Sequence, residues 1–436
     1  MSFSFIFKNF IFLLRTLSFS SIFLGLTYIL RFILTFSLVK ILSPTEFGYF
    51  SWVMTAFLFL STLNLNGLDN FSLRKVAELK SSNPEDIGNF QKFAQKKVFF
   101  NSFFIFIFLF LIFFISINTD YFGQMSYQFL VLATFGLALP FSSFVMINSS
   151  NLRVINSPRL AQIGDSFLQP LFLILFLLII FLLIEIQLNA FKVILLTISS
   201  WILSFFFSFY FYRKLAFRSP NNLIKKEKLL EWKFSANAIM IGVFGWSILS
   251  KSDVLILGFF VEASELSSYF VSLRIAELML FFPSVATYVW SGRIANLYYE
   301  NKIDEAQKLI KFISRLCFSV SIFLFSIGFL FSSEILYLFN ESFSKNVTVF
   351  RLALFSYLII SSVGILGPLL LIIGEESFFA KIHWVLGIIF SICISISALN
   401  FGLIGGVITF GIFQIIVNIL MISRLRVKTG LSSHPF

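Results

Sequence analysis

Apolar residues in this chain fall in long runs broken by charge clusters and turn residues. About 20 consecutive apolar residues cross the roughly 30 Å hydrocarbon layer of a bilayer, so runs of this length read as membrane spans. The pattern predicts helices near 17–42, 47–68, 98–117, 127–149, 161–184, 192–212, 234–258, 268–290, 312–332, 347–373, 380–398 and 403–422. The expected fold class is an all-α integral membrane protein of about twelve transmembrane helices. Two stretches between runs read as interfacial. In residues 302–313, Ile303, Ala306, Ile310 and Ile313 share one helical face, and residues 221–233 carry Trp232 as a candidate anchor.

The polar interruptions set the direction of insertion, because short Lys/Arg-rich loops stay on the cytoplasmic side. One alternate set of loops holds Arg74, Lys75, Lys80, Lys92, Lys96 and Lys97, then Arg153 and Arg159, then the cluster from Arg213 to Lys233. It continues with Arg293, Lys302, Lys308 and Lys311 and ends at Arg424, Arg426 and Lys428. The opposite loops hold chiefly acids, among them Glu46, Asp120, Glu185, Glu262, Glu265, Glu334 and Glu341. Both termini are thus expected in the cytoplasm. The formal charge of +12 follows from this topology and is no sign of nucleic-acid binding.

Self-comparison reveals a repeat. With the chain offset against itself by half its length, Lys75 falls on Arg293, Ala77 on Ala295, Leu79 on Leu297, Asn83 on Asn301, Asp86 on Asp304 and Lys97 on Arg315. With a small slip, residues 44–50 fall on 263–270. Six helices separate equivalent points, so both copies should enter the membrane in the same direction. The expectation is two parallel-repeat six-helix bundles around a central cavity, at 1–212 and 234–436, joined by a cytoplasmic linker at 213–233.

Composition agrees with lipid as the solvent: 58% of residues are hydrophobic and 12% charged, and 65 phenylalanines are spread through every apolar run. The N-terminal run has no small-residue cleavage site and is expected to remain attached. Cys317 and Cys393 lie in apolar runs without a CxxC pattern, and His383 and His434 are isolated, so neither a disulfide framework nor a metal site is expected. No cofactor motif is present.

Charges inside the runs carry the candidate chemistry. Asp165, Arg315 and Arg351 lie near helix ends, where side chains reach the interface. Arg31 lies mid-span, where lipid exposure would cost at least about 2.5 to 3.5 kcal/mol. Lys251, in the repeat-related seventh helix, precedes Glu265 by nearly the same interval as Arg31 precedes Glu46. Arg31, Lys251 and Arg274 are the candidate substrate-binding cations, with Asp253 and Glu277 as candidate coupling or charge partners. The alternative is that these charges only neutralise one another. Pro140, Pro170, Pro283 and Pro368 interrupt spans, and Gly242, Gly245 and Gly258 are candidate hinges.

The segments ILSPTEFGYF (41–50), SKSDVLILGFF (250–260), ELSSYFVSLRIAEL (265–278), GPLLLIIGEESFFAKI (367–382) and ALNFGLIGGVI (398–408) follow one another in an order and spacing that identify a family. The chain resembles the polysaccharide flippases of the O-antigen type, in the multidrug/oligosaccharidyl-lipid/polysaccharide (MOP) superfamily. One departure is Ser267 and Ser268, where relatives often place a glycine before the tyrosine. The resemblance implies alternating access and a cargo of oligosaccharide on undecaprenyl diphosphate, moved to the periplasmic leaflet of the bacterial inner membrane. Its implied partners are that lipid-linked oligosaccharide, membrane lipids and a polysaccharide polymerase or chain-length regulator. Twelve spans, not fourteen, disfavour a lipid II flippase. The competing readings are a cation-coupled multidrug exporter, which a basic cavity disfavours, and a membrane polymerase or glycosyltransferase, which the short outer loops disfavour.

Overall fold

A computed structural model describes residues 19–119, 125–154, 158–183, 187–215 and 226–434. The described residues form helices and connecting turns, with no strand among them. In chain order the helices are α1 (Phe19–Ile41), α2 (Pro44–Leu65), α3 (Leu68–Ser82), α4 (Asp86–Ile117), α5 (Ser126–Phe135), α6 (Leu139–Val154), α7 (Pro158–Gln162), α8 (Leu168–Leu183) and α9 (Ala190–Leu215). They continue as α10 (Lys226–Leu257), α11 (Ala263–Ala276), α12 (Phe281–Tyr299), α13 (Ile303–Leu330), α14 (Ser332–Phe339), α15 (Val347–Ser362), α16 (Leu366–Ile372) and α17 (Glu376–Thr429). A 3₁₀ turn joins α5 to α6, a π turn joins α7 to α8, and a second 3₁₀ turn joins α11 to α12, so each pair makes one span.

Among the described residues, eleven helical segments are long and apolar enough to cross a membrane. The last of them supplies two crossings. Gly402 adopts φ 54°, ψ −135° inside α17, and the Phe390 and Phe413 rings lie 5.2 Å apart. A straight helix would separate these two positions by about 35 Å. Thus α17 folds back on itself at Gly402, and the twelve expected spans are present. Helices starting at 44, 86 and 126 have counterparts starting at 263, 303 and 347, each displaced by close to half the chain, as the sequence repeat requires.

The described residues divide into two compact units: those within 41–247, and those up to Lys40 together with those from Ile248 onward. Helix α1 therefore belongs with the second half of the sequence, and α10 runs across the division.

In the first unit, Ser43 caps α2 by accepting from the Glu46 amide, with Pro44 preset for the first helical turn. The Glu46 carboxylate reaches further, accepting from the Ala190 amide at 2.6 Å and from the Tyr127 hydroxyl, and so caps α9 from outside. Leu68, Phe71, Phe90, Val98, Ile147 and Trp232 form an apolar core. Trp232 is 1% exposed and meets the Phe90 ring edge-on. This corrects the interfacial reading of residues 221–233. Residues 226–233 are the first turns of α10, with Trp232 in the protein interior; residues 221–225 lie outside the described residues.

In the second unit the core includes Trp290, Ile310, Ile313, Phe390, Phe410 and Phe413. Residues 303–313 are again not a separate surface helix. They begin α13, and the face formed by Ala306, Ile310 and Ile313 is fully buried in that core, so its amphipathic stripe faces protein and not lipid. The run 347–373 is broken between α15 and α16 at Gly364, whose φ of +66° ends the helix. Ser433 donates to the Val363 carbonyl at 2.6 Å, and the Gln307 side chain both accepts from Ser432 N and donates to Ser432 O. The C-terminal segment thereby satisfies the Val363 carbonyl beside the break, and Gln307 satisfies the backbone of the segment in turn.

Candidate functional site

All five candidate charged residues lie in the second unit, with Arg31 contributed by α1. Arg31 stands close to the midpoint of this 23-residue apolar helix, the least favourable depth for a charge. One turn earlier, the Tyr28 hydroxyl lies 3.4 Å from Ser284 Oγ, and the Tyr28 ring meets Phe281 edge-on at 5.5 Å. Further along, Phe32 and Phe36 both pack against the Phe339 ring. These contacts fix the face of α1 beside α12 and α14.

Lys251 is half-buried on α10, and Asp253, next but one along the helix, is 2% exposed. Burial of a carboxylate calls for a donor. Asp253 has one in the Tyr269 hydroxyl, at 3.0 Å, and Tyr269 is itself fully buried. Arg274 and Glu277 form an i, i+3 ion pair at 2.6 Å, and the guanidinium lies 4.6 Å over the Phe270 ring. The helix tightens into a 3₁₀ turn at Glu277, ahead of Pro283.

These pairs are not isolated. The field at Lys251 includes contributions from Arg274, Glu277, Asp253 and Arg31, and that at Glu277 from Arg274, Arg31 and Lys251. Tyr357 on α15 senses Glu277, Asp253 and Arg274. The structure thus brings the five candidate site charges together in one cluster with three formal positive and two formal negative charges. Tyr28, Ser284, Tyr269 and Tyr357 complete it and were not anticipated. No group of His, Cys, Asp or Glu suited to a metal ion occurs among the described residues. Gly242 and Gly245 sit inside an unbroken helix, and Gly258 follows its last turn.

A sequence model of the family described as polysaccharide biosynthesis protein matches residues 13–289. The chain belongs to the polysaccharide biosynthesis protein family. All five clustered charges fall within the matched segment. No curated protein sequence matches this family member. Its fold is shared with solved transporters. A MATE family multidrug resistance transporter of the MOP superfamily is 13% identical in its inward-facing structure, with a TM-score of 0.69 over 93% of this chain and 94% of that one. The outward-facing structure of such a transporter gives 0.60 at 13% identity over 94% of each chain. A MOP superfamily transporter from Pyrococcus furiosus, whose binding pocket is described as having reverse polarity, gives 0.66 at 14% identity over 94% of each. This polysaccharide biosynthesis family member is therefore a multi-pass membrane protein with the MOP transporter fold.

Proposed function

We propose that the chain is a flippase that moves an undecaprenyl-diphosphate-linked oligosaccharide from the cytoplasmic to the periplasmic leaflet of the bacterial inner membrane by alternating access, for O-antigen-like surface polysaccharide. The excess of cations in the Arg31 cluster carries this reading. Arg31, Lys251 and Arg274 outnumber Asp253 and Glu277, and Glu277 is already engaged by Arg274. A diphosphate resists transfer through hydrocarbon, and a guanidinium with an ammonium beside it offsets that cost. Asp253 and Glu277 serve as charge or coupling partners. Gly242 and Gly245 within α10, and Gly258 just past its end, are bending points, a role supported by the division between the units just past Gly245. A polymerase or chain-length regulator would receive the product.

The solved relatives also favour a second reading, multidrug export, since two of those described above are drug transporters. For the Pyrococcus furiosus protein, the reverse polarity of the binding pocket is described as suggesting a different function. An excess of positive charge favours an anionic cargo over a cationic drug.

Reconstitution decides between them. Proteoliposomes containing the purified chain should move a fluorescent diphosphate-linked oligosaccharide between leaflets and should not expel a cationic dye under a proton or sodium gradient. Dye export without lipid movement would overturn the proposal. The proposed orientation is checked separately in a background free of Cys317 and Cys393. A cysteine at Lys302 should resist a membrane-impermeant thiol reagent in intact cells and one at Glu262 should react; the opposite pattern would invert the topology.

A further inference from the structure

The lysines at the basic end of the first unit differ in how they are neutralised. Lys75 pairs with Glu78 at 2.8 Å and Glu231 at 3.4 Å, and Lys228 pairs with Asp86 at 2.9 Å. Lys97, half-buried on α4, has no carboxylate within ion-pair distance among the described residues. Its ammonium donates to a neutral oxygen, Asn237 Oδ1, at 2.9 Å, and the charge that acts on it is the like charge of Lys233. Lys233 and Asn237 are one helical turn apart on α10 and so share a face.

The surrounding backbone is built to hold this arrangement. Asn66 Nδ2 also donates to Asn237 Oδ1, at 2.7 Å, from a turn in which Asn66 and Gly67 both take positive φ, 51° and 71°. A Cβ on Gly67 would lie 2.7 Å from the Ala236 carbonyl oxygen and the Met240 nitrogen, so only glycine lets the turn approach α10 this closely. With its oxygen accepting twice, the Asn237 amide keeps its nitrogen as a donor. Two ammonium groups and carboxamide donors with no acid among them form an oxyanion site. A partly desolvated lysine kept only to bridge Asn237 would carry an uncompensated cost that a neutral donor avoids.

Depth identifies the kind of anion. Lys97 lies about three helical turns, roughly 17 Å, from the start of α4, where the polar first turns give way to the apolar run. Immediately beyond it, Phe99, Phe100, Phe103 and Phe104 are exposed. A phosphate at Lys97 would have a hydrocarbon chain alongside those rings.

We infer that Lys97, Lys233 and Asn237 form a docking subsite for the diphosphate headgroup of a lipid-linked sugar, with the Phe99–Phe104 face of α4 receiving its isoprenoid tail. It rests on the reading above only for the identity of the lipid. The subsite is distinct from the Arg31 cluster, and each can be removed without the other.

The test is equilibrium dialysis of the purified full chain in a zwitterionic detergent against labelled pyrophosphate. The wild type should bind two pyrophosphates per chain. Lys97→Gln/Lys233→Gln and Arg31→Ala/Lys251→Ala should each bind one, and Lys97→Arg should retain both. Loss of two charge-assisted contacts predicts a fall of about tenfold or more at the Lys97 site. Unchanged stoichiometry in a well-folded Lys97→Gln/Lys233→Gln protein would overturn this inference while leaving the Arg31 site intact. A wild type that binds one pyrophosphate, lost only in that variant, would support it while overturning the Arg31 site. In nanodiscs, an undecaprenyl diphosphate lipid should displace the Lys97-site pyrophosphate at far lower density than phosphatidylglycerol. Displacement by phosphatidylglycerol at equal or lower density would make the subsite a phospholipid site and overturn the assignment.

Discussion

Arg31→Ala should abolish delivery of lipid-linked sugar to the periplasmic face while the protein still inserts and folds. The formal charge of the cluster explains why one substitution suffices. With Arg31 present there are three cations against Asp253 and Glu277; without it the charges balance, and no net attraction for a diphosphate remains. A hydrogen bond to a charged group is worth about 1.5–3 kcal/mol, so the loss in headgroup binding should be roughly 10- to 100-fold before the change in field is counted. Folding should survive because Glu277 keeps Arg274 at 2.6 Å and Tyr28 keeps Ser284. Arg31→Lys should retain partial function, since charge persists and the planar fork is lost. Complementation of a flippase-null strain measures this through surface polysaccharide and accumulation of the precursor on the cytoplasmic face. Normal export by well-expressed alanine variants at both Arg31 and Lys251 would show the cluster to be structural.

Gly405→Ala should prevent the last two spans from closing and sharply lower the yield of folded protein. A 54-residue helix left straight would extend about 80 Å, far beyond one bilayer. The reversal at Gly402 avoids this, and it brings Gly405 so near the preceding arm that a Cβ would fall on the Ser397 carbonyl oxygen. That obstacle is backbone and cannot rotate away. Gly402→Ala should be milder, costing about 1–3 kcal/mol for its unfavourable dihedrals, because nothing lies within 4 Å of the added methyl. Gly292→Ala is the control: it lies within α12 with open space around it, and should be neutral or stabilise by up to about 1 kcal/mol. Fluorescence-detected size exclusion with thermal melts should rank Gly292→Ala above Gly402→Ala, and Gly402→Ala above Gly405→Ala.

The spans were legible because a bilayer imposes a one-dimensional demand, a minimum run of apolar residues, which sequence displays directly. Breaks within a run were not. Gly364 and Gly402 look like any other membrane glycine until φ is known, whereas Gly242 and Gly245, the residues singled out, occupy ordinary helix. Amphipathic periodicity showed that Ala306, Ile310 and Ile313 share a face but not what covers it, and the cover proved to be the protein core. Trp232 misled for the same reason. The charged members of the site were visible through the cost of leaving Arg31 or Lys251 in lipid. Their companions were not, since Tyr28, Ser284, Tyr269 and Tyr357 are common residue types whose importance arises from partners distant in sequence. The glycines of ALNFGLIGGVI, noticed first as a family resemblance, acquire a physical reason in the reversal of α17.

The discontinuity of the second unit has a bearing on how the protein is made. Helix α1 leaves the ribosome well before α12, and Tyr28 meets Ser284 only after 256 further residues have been synthesised. At about 5–20 residues per second, that interval is on the order of ten to fifty seconds. Throughout it, a helix with arginine at its centre waits without Glu277 or α12 beside it. Until then the cost of that arginine, about 2.5–3.5 kcal/mol on an insertion scale, falls on the apolar remainder of α1 alone. Nascent chains arrested before α12 should consequently be the forms most readily extracted from the membrane and degraded.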